Sequence, residues 1–183
     1  MTWPVGNEIV IDTNVFKHLC DRDAKFNPDG HCSVLLAGLA MRSCVLLIDE
    51  AGLFLHEFNA IVKPQFERGS EIAGEIAILR YWADPGNYAA KEINEHKQLI
   101  AAIKTVIVEN ERADRAFVYL AFRNGRALVT NDESHIVIWP VKKKEKGGER
   151  RIRLLKACKA YVSQGAEILF SFEACNCFGG VNA

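Results

Sequence analysis

Four short apolar runs, separated by stretches of helical density, restrict the folds open to this chain. They are "IVI" at residues 9–11, "CVLLID" at 44–49, "RALVT" at 126–130 and "AEILFSF" at 166–172. Each is rich in aliphatic or β-branched residues and too short for a buried helix, so each predicts a strand. Between them, a helix is expected from about Asn14, another over "HCSVLLAGLAMRS", and apolar residues at mixed helical spacing from Leu53 toward Tyr81. Two more are expected over "EHKQLIAAIKTV" and "ERADRAFVYLAFRNG", the last with Gly125 placed to end it. The segments "DRDAKFNPDG" and "ADPGN" are turn-forming breaks. Strands that alternate with helices predict an α/β domain, a three-layer α/β/α arrangement around a central, mainly parallel sheet. Near the end, "HIVIWP" and "RIRLL" flank "KKKEKGGE", which predicts a C-terminal basic hairpin ahead of the final strand.

A length of 183 residues suits one well-cored domain over 1–183, since two would be small. At 49% apolar and 25% charged residues the composition is that of a soluble globular protein. No apolar run is long enough to span a bilayer, and "MTWPVGNE" has neither a basic leader nor a signal core, so no membrane association and a cytoplasmic location are expected. Six cysteines without a CxxC pair read as reduced, small core residues. "CNC" at 175–177 lacks the second Cys/His pair that a zinc site needs. The zero net charge conceals an asymmetry: Lys142 to Lys159 holds nine Lys/Arg against two Glu, leaving fourteen basic and twenty-one acidic residues elsewhere. A cationic element on an acidic body is the expected result.

Two strands deliver a carboxylate to their carboxyl ends, where open parallel sheets bind ligands: Asp12 after "IVI" and Asp132 after "ALVTN". A lone Asp after a strand is ordinarily a turn former or helix cap, so the remaining acids decide its meaning. Thr13 and Asn14 adjoin the first, Thr130 and Asn131 the second, and such groups orient carboxylates or hold metal-bound water. Asp114 has Phe117, Val118 and Ala121 at i+3, i+4 and i+7, which puts it within an apolar stripe; its bland alternative is a first-turn Asp facing the helix dipole. Glu57 borders the face made by Phe54, Phe58 and Ile61, with Asp49 and Glu50 as rivals for its role and Glu111 as a rival or helper of Asp114. Crowded carboxylates stay ionised only with a cation between them, and an all-oxygen set suits Mg²⁺ or Mn²⁺. One or two such ions activate water and stabilise the leaving oxygen in phosphodiester hydrolysis.

The order "IDTNVF", "HEF", "DRAFVYLA", "LVTND" resembles the PIN-domain nucleases over about residues 8–135, leaving an extension over about 136–183. The resemblance implies that Asp12, Glu57, Asp114 and Asp132 are the catalytic, metal-binding acids, with Asn14, Thr130 and Asn131 supporting them. Glu57 rather than Glu50 matches the pattern in which the Glu lies inside the helix, before an aromatic. It also implies a metal-dependent cut of single-stranded RNA, with single-stranded DNA as a further substrate, and frequent homodimers. In bacteria many members are toxins held by an inhibitory partner protein.

The basic segment supplies an expected substrate contact through Lys142, Lys143, Lys144, Lys146, Arg150 and Arg151, with Trp139 as a stacking face. Other hydrolases fit less well. A haloacid-dehalogenase-type phosphatase needs a second Asp two positions after the first, where this chain has Asn14; no G-x-S-x-G elbow or P-loop is present. The alternative that remains is a PIN-like module that grips RNA or protein without cutting.

Overall fold

The computed structural model describes residues 7–20, 30–68, 73–93, 96–107, 111–132 and 147–177. Its strands are β1 (Glu8–Ile11), β2 (Val45–Asp49), β3 (Tyr88–Lys91), β4 (Ala127–Thr130) and β5 (Glu167–Phe170). They form one sheet in the order β3-β2-β1-β4-β5, and every pairing is parallel. The helices are α1 (Thr13–Leu19), α2 (His31–Met41), α3 (Leu53–Arg68), α4 (Ala73–Ala83), α5 (Lys97–Lys104), α6 (Arg112–Asn124), α7 (Gly147–Cys158) and α8 (Ser171–Cys177). Helices cover both faces, which explains why β1 and β4 are buried almost throughout and read as continuous apolar runs. The α/β/α class expected from the alternation is the one observed. Among the described residues no helix is long and apolar enough to cross a membrane.

The strand order fixes where a ligand would bind. From β1 the chain steps outward through β2 to β3, then returns to place β4 on the other side of β1, with β5 beyond it. Neighbouring connections therefore diverge between β1 and β4, and the crevice at their carboxyl ends is the topological switch point. Val10 pairs with Leu128 and Ile11 with Val129, so Asp12 and the Thr130–Asp132 segment emerge side by side.

An aromatic cluster sets the helices that flank this crevice. Phe16 of α1 meets Phe58 of α3 edge to face at 5.0 Å, and Phe54 stacks on Phe58 at 5.3 Å. Trp82 of α4 and Phe117 of α6 close the cluster against Phe16 and Phe54. Each such pair contributes about 0.5–1.5 kcal/mol beyond the area it buries. Together they hold α1 and α3 in one register, which decides whether Thr13 and Glu57 meet.

Two features differ from expectation. "RIRLL" is not a strand: it lies inside α7, so residues 147–158 do not form the second arm of a hairpin. The reason is period, because Leu154 and Cys158 are buried at i, i+4 spacing against a helical neighbour, and alternation would separate them. "HIVIWP", Trp139 and Lys142 to Lys146 lie outside the described residues. The second feature is β3, "YAAK", an edge strand only partly buried, which lacks the apolar run that marks the other four.

Candidate active site

Asp12 leaves β1 as a buried carboxylate, 4% exposed, and does two things at once. It caps α1, its Oδ1 accepting the backbone N–H of Asn14 at 3.1 Å. Its Oδ2 accepts from the Thr130 hydroxyl at 2.6 Å and from Asn14 Nδ2 at 3.0 Å. A capping role alone would not require the second set, which crosses the switch point to β4.

The polar residues beside the two acids form one hydrogen-bonded unit. Asn14 donates to Asp12 through Nδ2 and accepts the backbone N–H of Asn131 at Oδ1, 2.8 Å away, so its amide clamps the end of β1 to the end of β4. Thr130 Oγ1 donates to Asp12 and accepts the backbone N–H of Asp132 at 3.0 Å, using both capacities of one hydroxyl. Thr13 stands 3.5 Å from Asp12 Oδ1, too far for a useful bond, and donates its proton to Glu57 Oε2 at 2.8 Å. Of the predicted residues, Asp12, Asn14, Thr130 and Asn131 are in direct contact, Asp132 joins through its backbone, and Glu57 through Thr13. Asp114 occupies the first turn of α6, half-buried, on a helix that packs against β1 and β4.

The rivals of Glu57 have other positions. Asp49, 1% exposed, accepts the backbone N–H groups of Leu53 at 2.7 Å and Phe54 at 2.8 Å, and so satisfies the start of α3. Glu50 is exposed in the turn that follows β2. Glu111 forms an ion pair with Arg150, and Arg151 pairs with Glu173 at 3.1 Å. These two arginines, expected at the substrate, are held by carboxylates of the protein itself.

Behind the acids lies a buried polar layer that carries no sequence signature. Asn131 Oδ1 accepts the backbone N–H of Ser171, so its Nδ2 is the group that faces His18 Nδ1 at 3.0 Å and Cys32 Sγ at 3.3 Å. The Cys32 thiol donates on to the Ser171 hydroxyl, and burial pushes its pKa above the ordinary thiol range. His18 was within reach of sequence reasoning, being one turn after Asn14 on the same helical face. Cys32 and Ser171 come from distant elements and were not.

Whether these residues suit a hard divalent cation is a question of donors and placement. The donors are carboxylates and hydroxyls with an amide to orient them, the all-oxygen chemistry that Mg²⁺ and Mn²⁺ take. The donor types are those such an ion takes, but among the described residues no three His, Cys, Asp or Glu side chains form a group placed to hold one. Thr13, next to Asp12 in the chain, carries the hydrogen bond to Glu57. In comparisons with family models, curated proteins and solved structures, none matches this chain.

Proposed function

We propose that the chain is a metal-dependent endoribonuclease of the PIN-like type, which hydrolyses phosphodiester bonds of single-stranded RNA at the switch point. The observation that carries this reading is the buried Asp12 carboxylate bonded across the sheet to Thr130, whose hydroxyl also fixes the backbone at Asp132. Carboxylates at the ends of two adjacent strands, on either side of the reversal, occupy the position where such sheets bind ligands. Asp12, Glu57, Asp114 and Asp132 would hold Mg²⁺ or Mn²⁺, with substrate phosphate oxygens completing the set. When bound, the ion would lower the pKa of a water and stabilise the leaving oxygen. The protein's own contribution is orientation. Asn14 and Thr130 hold Asp12 from one side, Thr13 holds Glu57 from the other, and the aromatic cluster keeps α1 and α3 from separating.

One observation favours a second reading, a PIN-like module that grips RNA or protein without cutting: no three acids converge among the described residues. Incubation with mixed single-stranded RNA and DNA separates the two. The nuclease should generate new ends with Mn²⁺, stop in excess chelator, and lose about a hundredfold or more of its rate in Asp12→Asn, beyond the ~10–100-fold typical of outer-shell partners. Cutting that persists in chelator ends the metal reading, and a folded Asp12→Asn variant that cuts like its parent removes Asp12 from catalysis.

A further inference from the structure

A cavity of about 190 Å³, open to solvent on one side, lies between α3, α5 and α6. Ile100, Ile103 and Lys104 line it from one face of α5, at i, i+3 and i+4. Arg112, Ala116 and Tyr119 line it from one face of α6, at i, i+4 and i+7, and Leu53 closes it from the start of α3. Asp114 is turned to another face of α6, and none of Asp12, Glu57, Asp114 and Asp132 lines the cavity. The aromatic wall is fixed, because the Tyr119 hydroxyl accepts the backbone N–H of His96 at 3.2 Å. Lys104 and Arg112 are exposed, so their charges meet solvent at the mouth. Arg115 also reaches the lining, but it has an interaction of its own and is not counted toward a ligand.

We propose that this cavity is a binding site for a small organic anion whose apolar body is about one ring in size. The site is separate from the switch point, and the inference does not depend on the nuclease reading above. Size sets the body of the ligand. A cavity of about 150 Å³ with apolar walls holds benzene, whereas drug-sized ligands occupy about 300–1,000 Å³. Lining sets its chemistry, because Leu53, Ile100, Ile103 and the Tyr119 ring offer apolar surface to such a body. Charge sets the head group. Among the described lining residues none is acidic, while Lys104 and Arg112 bring two cations to the mouth. A hydrocarbon would leave both cations unmatched, and a cation would be repelled by them. A carboxylate on a short arm satisfies both parts, since a guanidinium and an ammonium each form charge-assisted hydrogen bonds to it.

The test is a binding titration of the full chain with phenylacetate, its neutral amide phenylacetamide, and acetate. Phenylacetate should bind about tenfold or more tightly than either, and its affinity should fall with added salt while that of the amide does not. The double variant Lys104→Gln/Arg112→Gln, at two exposed positions that should fold, should bring phenylacetate down to roughly the affinity of the amide. Ala116→Leu should fill the cavity from α6 and abolish binding of both ring-bearing probes. Ile100→Phe, at a half-buried position of α5, serves the same purpose should the first variant not fold. Absence of phenylacetate binding to the parent overturns the proposal outright. Equal affinity for phenylacetate and acetate overturns the apolar pocket, and equal affinity for phenylacetate and its amide overturns the anion site. Unchanged phenylacetate affinity in the double variant, or in a folded variant with the cavity filled, puts the ligand elsewhere and overturns the assignment to this cavity. Each of these outcomes is independent of whether the chain cuts RNA.

Discussion

Thr13 and Glu57, forty-four residues apart, share a hydrogen bond of 2.8 Å, and the hydroxyl that makes it belongs to the residue next to Asp12. This contact is how α3 addresses the end of β1. It depends on packing made elsewhere: Phe54 and Phe58 lie on either side of Glu57 in the sequence of α3, and both rest on Phe16 of α1. An ordinary core thereby positions a carboxylate.

Thr13→Val tests that link, since it keeps the volume and removes the only proton donated to Glu57 by that side chain. Stability should fall by about 0.5–1.5 kcal/mol, the net value of one hydrogen bond. Mn²⁺ affinity and cleavage should fall more, by about 10–100-fold, as for other residues that orient metal ligands. A variant with the parent's Mn²⁺ affinity would show that Glu57 is held by something other than Thr13.

Asp49 and Glu50 should behave as neighbours with unrelated roles. Asp49→Ala removes both bonds to the start of α3 and should cost about 1–2 kcal/mol in a denaturant titration, in line with lost helix caps. Glu50→Gln, at an exposed turn, should change stability by less than about 0.5 kcal/mol and leave cleavage untouched. Glu57→Gln should reduce cleavage. A dead Glu50→Gln variant beside an active Glu57→Gln variant would reverse the assignment of the central acid.

Local chemistry explains which parts of this fold were legible in the sequence. β1, β2 and β4 are apolar runs because central parallel strands are buried on both faces, and the edge strand β5 is buried nearly as fully, so the Asp residues after β1 and β4 stand out against that background. β3 was not legible, since it is only partly buried and "YAAK" carries no apolar run, unlike β5 at the opposite edge. "RIRLL" was ambiguous because five residues with three apolar members fit either period. Charge was the least legible property: the cations of α7 looked available from composition, yet Arg150 and Arg151 are neutralised by Glu111 and Glu173, which lie thirty-nine and twenty-two residues away. Sequence proximity groups charges along the chain, and only the fold decides which are already paired.

Gly125 ends α6 in the left-handed region at φ 63°, with its N–H bonded to the Ala121 carbonyl. A Cβ there would come within 2.4 Å of the Gln164 carbonyl oxygen, in the turn that leads to β5. Gly125→Ala should therefore cost more than the ~1–2 kcal/mol of a left-handed residue, because the backbone it strikes cannot swing aside as a side chain could. Gly52, at φ 78° with nothing near its Cβ position, is the control: Gly52→Ala should show the conformational cost alone. Equal losses at the two positions would mean that the 163–165 turn yields without penalty.

Cys158 links stability to alkaline pH. It is fully buried on α7, and burial pushes its thiol up to about 11. An unfolded chain releases the same proton near the ordinary value of about 8.5. Between those values the native state binds more protons than the unfolded state, so stability falls as pH rises. The contribution is complete below about pH 8.5 and lost progressively toward pH 11. Cys32, Cys44 and Cys175 are raised in the same direction, chiefly by burial, and should add to the decline. Cys158→Ala removes one titrating group, so its denaturation midpoint, lower than the parent's at pH 7.5, should approach the parent's by pH 10.5. If the two midpoints stay a constant distance apart across that range, the Cys158 thiol does not titrate differently in the folded and unfolded chains.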